Sequence, residues 1–188
     1  GIEKYPDLPR VAYVQILQSQ GLLHDTYGYG VDAKKIVPTI MSPTEIMDGA
    51  IVSGNCVSAC DKNPTYVHQN NPVVHDMFEQ HGKAFNFVGH IITNENVYLA
   101  EKMRSSDRTA KLCKMLDLDG VIVSQEGFVN QDTEQSMNCK KNEAEGVKTV
   151  ILTDAYAVRS VKTQHLDESD TAAEAVVHGG KGDTGNIL

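Results

Sequence analysis

Nothing in this chain approaches the roughly 20 consecutive apolar residues that cross a bilayer, and its apolar stretches, such as Val11 to Leu17, are far shorter. The first residues, Gly1 to Arg10, lack the charged-then-apolar pattern of a signal segment. Basic runs are missing too: 17 Lys+Arg are outnumbered by 25 Asp+Glu, for a formal net charge of -8. A nucleic-acid or anionic-membrane surface is therefore not expected, and small molecules and proteins are the expected partners. Cysteine is scarce, with four residues at positions 56, 60, 113 and 139, too few and too uneven for a disulfide framework in 188 residues. Reduced thiols and a cytoplasmic location follow as expectations. There is no internal repeat and no low-complexity tract.

What is present suits one core. A chain of 188 residues that is 40% hydrophobic is read as a single α/β domain over 1–188. Apolar runs at Val11 to Leu17, Ala50 to Val52, Phe85 to Ile92, Gly120 to Val123, Val147 to Leu152 and Ala175 to Val177 suit strands buried on both faces. Between them, Val73, Val74, Met77, Phe78 and His81 share a helical face, as do Leu112, Met115 and Leu116 with Ala110 and Cys113 beside them. Asn71-Pro72 reads as a helix cap with proline in the first turn, Gly82 as a left-handed stop, and Asn130 as the cap of a helix from Gln131. The segment Gly21 to Thr44 reads as loops with short pieces of structure. Alternating elements of this kind predict a three-layer α/β fold, Rossmann-like or flavodoxin-like, with a mostly parallel sheet and helices on both faces. The glycine-rich stretch over about 179–188 reads as a loose tail.

In open parallel sheets, ligands bind beyond the carboxyl ends of the strands. Directly after apolar runs come Ser53-Gly54-Asn55-Cys56, Thr93-Asn94-Glu95-Asn96, Ser124-Gln125-Glu126-Gly127 and Thr153-Asp154. Topology and spacing thus nominate Cys56, with Glu95, Glu126 and Asp154, for one edge. The competing reading of each carboxylate is that polar residues end strands because they start turns and cap helices.

The stretch Ser53-Gly54-Asn55-Cys56-Val57-Ser58-Ala59-Cys60-Asp61-Lys62-Asn63, with Tyr66-Val67-His68-Gln69-Asn70-Asn71-Pro72 after it and Gln20-Gly21-Leu22-Leu23-His24-Asp25-Thr26-Tyr27 before it, resembles the proprotein subunit of the glycine, sarcosine and betaine reductase B component. The resemblance runs from about Tyr5 to about Gly180 and marks the chain as a fragment of a longer proprotein. It implies cleavage between Asn55 and Cys56, with Cys56 becoming a pyruvoyl group that can form a Schiff base with an amine substrate. It also implies a role in reductive cleavage of the C–N bond of glycine or an N-methylated glycine, as an oligomer working with the selenoprotein subunit of component B and with selenoprotein A. Such processing needs a thiolate, a base and a well-oriented peptide, and Gly54 supplies backbone freedom.

Around Cys56, the candidate helpers are Asn55, Cys60, Asp61, His24 and His68, with Glu95 and Glu126 from the strand ends. Histidine is the side chain that titrates near neutrality unperturbed, which suits His24 and His68 to proton transfer against a structural hydrogen-bonding role. Cys60 is read as shaping the site or as a buried small hydrophobe. Cys56 and Cys60 with a histidine are a rival metal site, but the paired two-residue spacing of structural zinc is missing, so no metal is expected. A second rival is an unprocessed scaffold subunit. His75, His81, His90, His165 and His178 receive no role, and Cys113 and Cys139 are expected in the core. Val129, Gln131, Ala155 and Val158 depart from the family's usual residues, on the expected ligand edge, and leave the substrate open.

Overall fold

The computed structural model describes residues 5–19, 25–54, 62–127, 130–155 and 175–181. In chain order its elements are β1 (Arg10–Leu17), β2 (Thr26–Gly28), β3 (Val31–Asp32), a 3-10 turn (Ala33–Lys35), β4 (Thr39–Met41), α1 (Pro43–Met47) and β5 (Ile51–Ser53). There follow α2 (Thr65–Gln69), α3 (Pro72–Gln80), β6 (Asn86–Asn94), α4 (Leu99–Met115), β7 (Gly120–Gln125), α5 (Asn130–Ala144), β8 (Lys148–Ala155) and β9 (Ala175–Lys181). Among the described residues no helix is long and apolar enough to cross a membrane.

The main sheet has the order β4-β6-β1-β7-β8-β9. Every neighbouring pair is parallel except the antiparallel β4 and β6. Taken in chain order, the five parallel strands sit second-first-third-fourth-fifth, the doubly wound order of flavodoxin-like sheets. The α/β expectation therefore holds, and the longer apolar runs became parallel strands because such strands are covered on both faces.

One run went elsewhere. Ala50 to Val52 was expected in the parallel sheet, but β5 pairs antiparallel with β2 in a separate sheet of order β3-β2-β5. Its burial alternates, with Ile51 and Ser53 inside and Val52 51% exposed. That is the pattern of a strand with one wet face, and three residues are too few to show it in a sequence.

Alternation along β1 divides the core. Ala12, Val14 and Ile16 pack with Ile91, Val121 and Val123 against Cys113, Leu118 and Val147. On the opposite face, Tyr13 and Phe87 meet Val74 and Met77 of α3, while Leu17 and Ile92 meet Met41, Ile46 and Ile51. Helix α3 begins where the sequence indicates: the Asn71 side chain accepts from the N–H groups of Val73 at 2.9 Å and Val74 at 3.3 Å, and Pro72 occupies the first turn. Past its end, Gly82 takes a φ of 77°, the left-handed stop.

Helix α4 departs from the expected stripe. Its buried residues are Lys102, Ser105, Ser106, Thr109, Ala110 and Cys113, regular in helical spacing but mostly polar, and Met115 is 82% exposed. The facing helix α5 likewise buries Glu134, Gln135, Asn138, Cys139 and Asn142. Hydrophobicity cannot reveal a helix whose inner face is polar. Cys113 and Cys139 are both buried, as expected, and burial pushes the Cys113 thiol up to about 12.

Candidate functional site

In a second-first-third order, the connections leaving the first and third parallel strands run to opposite faces and open a crevice between their carboxyl ends. Here those strands are β1 and β7, with Ile16 beside Gln125. Glu126, the next residue, stands at that switch point. Its N–H donates to the carbonyl of Ile16 at 3.0 Å. Its carboxylate accepts from the N–H of Gln18 at 2.8 Å and from the N–H of Asn63 at 3.2 Å.

His68, from α2, completes the cluster. Its Nε2 lies 3.1 Å from Glu126 Oε1, with both side chains fully buried. The approach falls off the ring N–H direction, so the contact is a close polar pair without the alignment of a hydrogen bond. One carboxylate thus ties the ends of β1 and β7 to the segment that starts at Lys62. The sequence nominates His68 and Glu126 from separate motifs; the fold makes them neighbours.

The backbone at Ser53 and Gly54 is held as well. Gly54 N–H donates to the carbonyl of Asp25 at 2.8 Å. Ser53 N–H donates to Thr65 Oγ1 at 2.8 Å, and that hydroxyl donates back to the Ser53 carbonyl at 3.1 Å. Residues 54 and 62, which flank 55–61, are therefore fixed by hydrogen bonds of their own or of the adjoining residue. Asn55, Cys56, Cys60, Asp61 and His24 lie outside the described residues.

Glu95 joins the same edge. Its N–H donates to Leu17 carbonyl at 3.0 Å, and Ser19 Oγ donates to its carbonyl at 2.8 Å, while the residue is 5% exposed. Asp154 does not follow a strand end as expected, because β8 continues through Ala155, pairing Thr153 with His178 of β9.

Beneath the crevice lies a buried polar layer that sequence reading passed over. Tyr13 OH is 2.5 Å from Ser124 Oγ, and the Tyr13 ring packs at a 40° tilt against His90 with centroids 4.5 Å apart. Burial holds the Tyr13 phenol above its ordinary range, against the pull of Ser124 and Asn71. Burial, helped by nearby His68, pushes His90 down to about 3, so its imidazole is neutral. Both residues sit inside apolar runs, where nothing local distinguishes them.

A second buried pair stands after β6. Lys102 Nζ is 3.3 Å from Glu134, whose carboxylate also accepts from the Asn96 backbone at 2.9 Å and side chain at 2.8 Å. Burial raises the Glu134 pKa, and the Asn96 hydrogen bond and the Lys102 charge oppose it. Lys62 contrasts with Lys102. It is 7% exposed, and its buried Nζ has no hydrogen-bond partner among the described residues. Among the described residues, no three His, Cys, Asp or Glu side chains gather as a metal-ligand set.

The family described as glycine/sarcosine/betaine reductase component B subunits matches residues 1–188. The chain is 70% identical over 180 residues to the glycine reductase complex component B subunits alpha and beta of Peptoclostridium acidaminophilum, covering 96% of this chain and 42% of the relative. It is 65% identical over 187 residues to the same-named protein of Acetoanaerobium sticklandii, covering 100% of this chain and 44% of the relative. To the sarcosine reductase complex component B subunit alpha of P. acidaminophilum it is 56% identical over 181 residues, covering 96% of this chain and 42% of the relative. The chain thus spans less than half the length of these relatives. No solved structure matches it. With a profile match along its whole length and identities well above one half, the chain belongs to the glycine/sarcosine/betaine reductase component B family.

Proposed function

We propose that this chain is the substrate-binding part of a reductase that cleaves the C–N bond of glycine or an N-methylated glycine, with Cys56 as the source of a pyruvoyl group. The observation that carries the reading is the Glu126–His68 pair at the switch point, joined to Asn63 only seven residues along the chain from Cys56. A buried carboxylate beside an imidazole can orient a proton-transfer group, which both processing and catalysis require.

Processing balances as follows. The Cys56 thiolate attacks the Asn55 carbonyl and the peptide C–N bond breaks, giving an ester through sulfur and a free amine at Cys56. Elimination then breaks the Cβ–S bond, so the sulfur leaves as a thiocarboxylate on Asn55, and one water releases ammonia to leave a ketone. A second water converts the thiocarboxylate to carboxylate and sulfide. Relatives whose single chain is named for both alpha and beta subunits fit a cut of this kind.

The residues suit such a group. Two buried proton-transfer candidates, His68 and Glu126, and a buried amine without a partner among the described residues, Lys62, belong to the same crevice wall or its adjoining segment. When present, the group supplies an electrophilic carbonyl that draws electrons from the substrate α-carbon. Glu126 would hold His68 in place, and His68 would move the proton. A selenoprotein partner would form the Se–C bond as the C–N bond breaks and the amine leaves with the bonding pair.

The test is intact-mass analysis of the full-length proprotein with hydroxylamine labelling of carbonyl. The reading expects cleavage between residues 55 and 56, loss of the thiol and a labelled new N-terminus, all abolished by Cys56→Ala and preserved in Cys60→Ala. Cleavage that persists in Cys56→Ala would sink it, and a proprotein that stays whole within its complex would favour the scaffold role.

A further inference from the structure

Lysine is almost never fully buried unless paired, because taking an ammonium out of water is costly. Lys102 obeys that rule through Glu134. Lys62 does not: it is 7% exposed, and among the described residues its Nζ has no hydrogen-bond partner and no carboxylate within ion-pair distance. The carboxylate held by its neighbour is already committed, since Glu126 accepts from Gln18 and from Asn63 and faces His68.

We propose that Lys62 is the carboxylate anchor of the site, its buried ammonium receiving the carboxylate of a small α-amino acid that enters the crevice beside Glu126. This rests on the substrate reading above and deepens it. Three features support the assignment. The Asn63 N–H bond to Glu126 puts the Lys62 backbone one residue from the switch point, where ligands of this sheet type bind. A cation without a resident anion is unfilled chemistry that an incoming anion completes, and charge-assisted bonds of this kind are the strong ones. Finally, glycine, sarcosine and betaine, the substrates in the family's description, differ only at nitrogen and share a carboxylate on one α-carbon. An anchor common to all three must therefore read the carboxylate.

Lys62 differs from a structural lysine in what its removal does. Losing an unpaired buried charge relieves the fold, so Lys62→Met should raise the thermal midpoint or leave it unchanged while weakening the ligand. A structural lysine would lower both.

The experiment uses the full-length chain carrying Cys56→Ala, so that no processing is needed for binding. Saturation-transfer NMR titrations of glycine and acetate are run on this protein with Lys62, Lys62→Met and Lys62→Arg. The anchor expects measurable binding with Lys62, weakening of at least about 10-fold in Lys62→Met for both ligands, partial recovery in Lys62→Arg, and competition by acetate but not methylamine. Unchanged affinity in Lys62→Met, no binding by the Lys62 protein, equal competition by methylamine, or a fall in thermal midpoint matching the loss of affinity would each overturn it. Carbonyl labelling of the otherwise wild-type chain tests the pyruvoyl reading separately, so a failure of one is distinguishable from a failure of the other.

Discussion

Glu126, one residue past β7, accepts the backbone N–H of Gln18, one residue past β1, at 2.8 Å. This contact closes the crevice floor with a charged acceptor and leaves the second carboxylate oxygen for Asn63 and His68. The segment beyond the small antiparallel sheet is thereby brought to the edge of the main sheet.

Removing that acceptor should be expensive. Glu126→Ala leaves two N–H groups, of Gln18 and Asn63, without their carboxylate, and charge-assisted bonds of this kind suggest a loss of about 3 kcal/mol. Glu126→Gln should cost less, because an amide oxygen can still accept one of them. Urea unfolding of the three proteins checks the order, and a loss below about 1 kcal/mol in Glu126→Ala would contradict the anchoring role.

Lys102 and Glu134 form a buried ion pair at 3.3 Å. Lys102→Met should destabilise the fold by about 3 kcal/mol or more, since it strands a carboxylate in the interior. Adding Glu134→Gln should recover part of that loss, because the stranded charge is gone while an oxygen remains for Asn96. Chemical denaturation of the single and double variants measures it; a double variant weaker than Lys102→Met alone would count against the pairing.

His90 predicts an acid limb. Its folded value, about 3, lies below its ordinary 6.5 because burial excludes the charged form. The unfolded chain therefore binds a proton that the native protein refuses, and stability contributed by neutral His90 is full above 6.5 and falls as pH drops toward about 3. The slope from this one group is at most about 1.4 kcal/mol per pH unit. His90→Phe, which keeps a ring against Tyr13, should flatten the curve of unfolding free energy between those limits. An unchanged slope would show that other groups carry the acid sensitivity.

The sequence by itself determined the longer parallel strands, because a strand covered on both faces is mostly apolar, as Val11 to Leu17 of β1 and Phe87 to Ile92 of β6 are despite Gln15 and His90. It also determined the ends of α3, because the Asn71 cap and the left-handed Gly82 act within one turn of the chain. The cysteine motif likewise carried the family by itself. Only the tertiary structure decided where β5 pairs, since three residues cannot specify a distant partner, and which face of α4 is inward, since the buried Lys102 meets Glu134 of α5 and the buried Ser105 meets Thr93 of β6, polar contacts that hydrophobicity does not signal. The pairing of His68 with Glu126, 58 residues apart in the chain, and the burial of Lys62 without a partner among the described residues belong to that second class. Both depend on what the fold brings near a group, and burial gives such proximity its energetic weight by removing the water that would otherwise mask it.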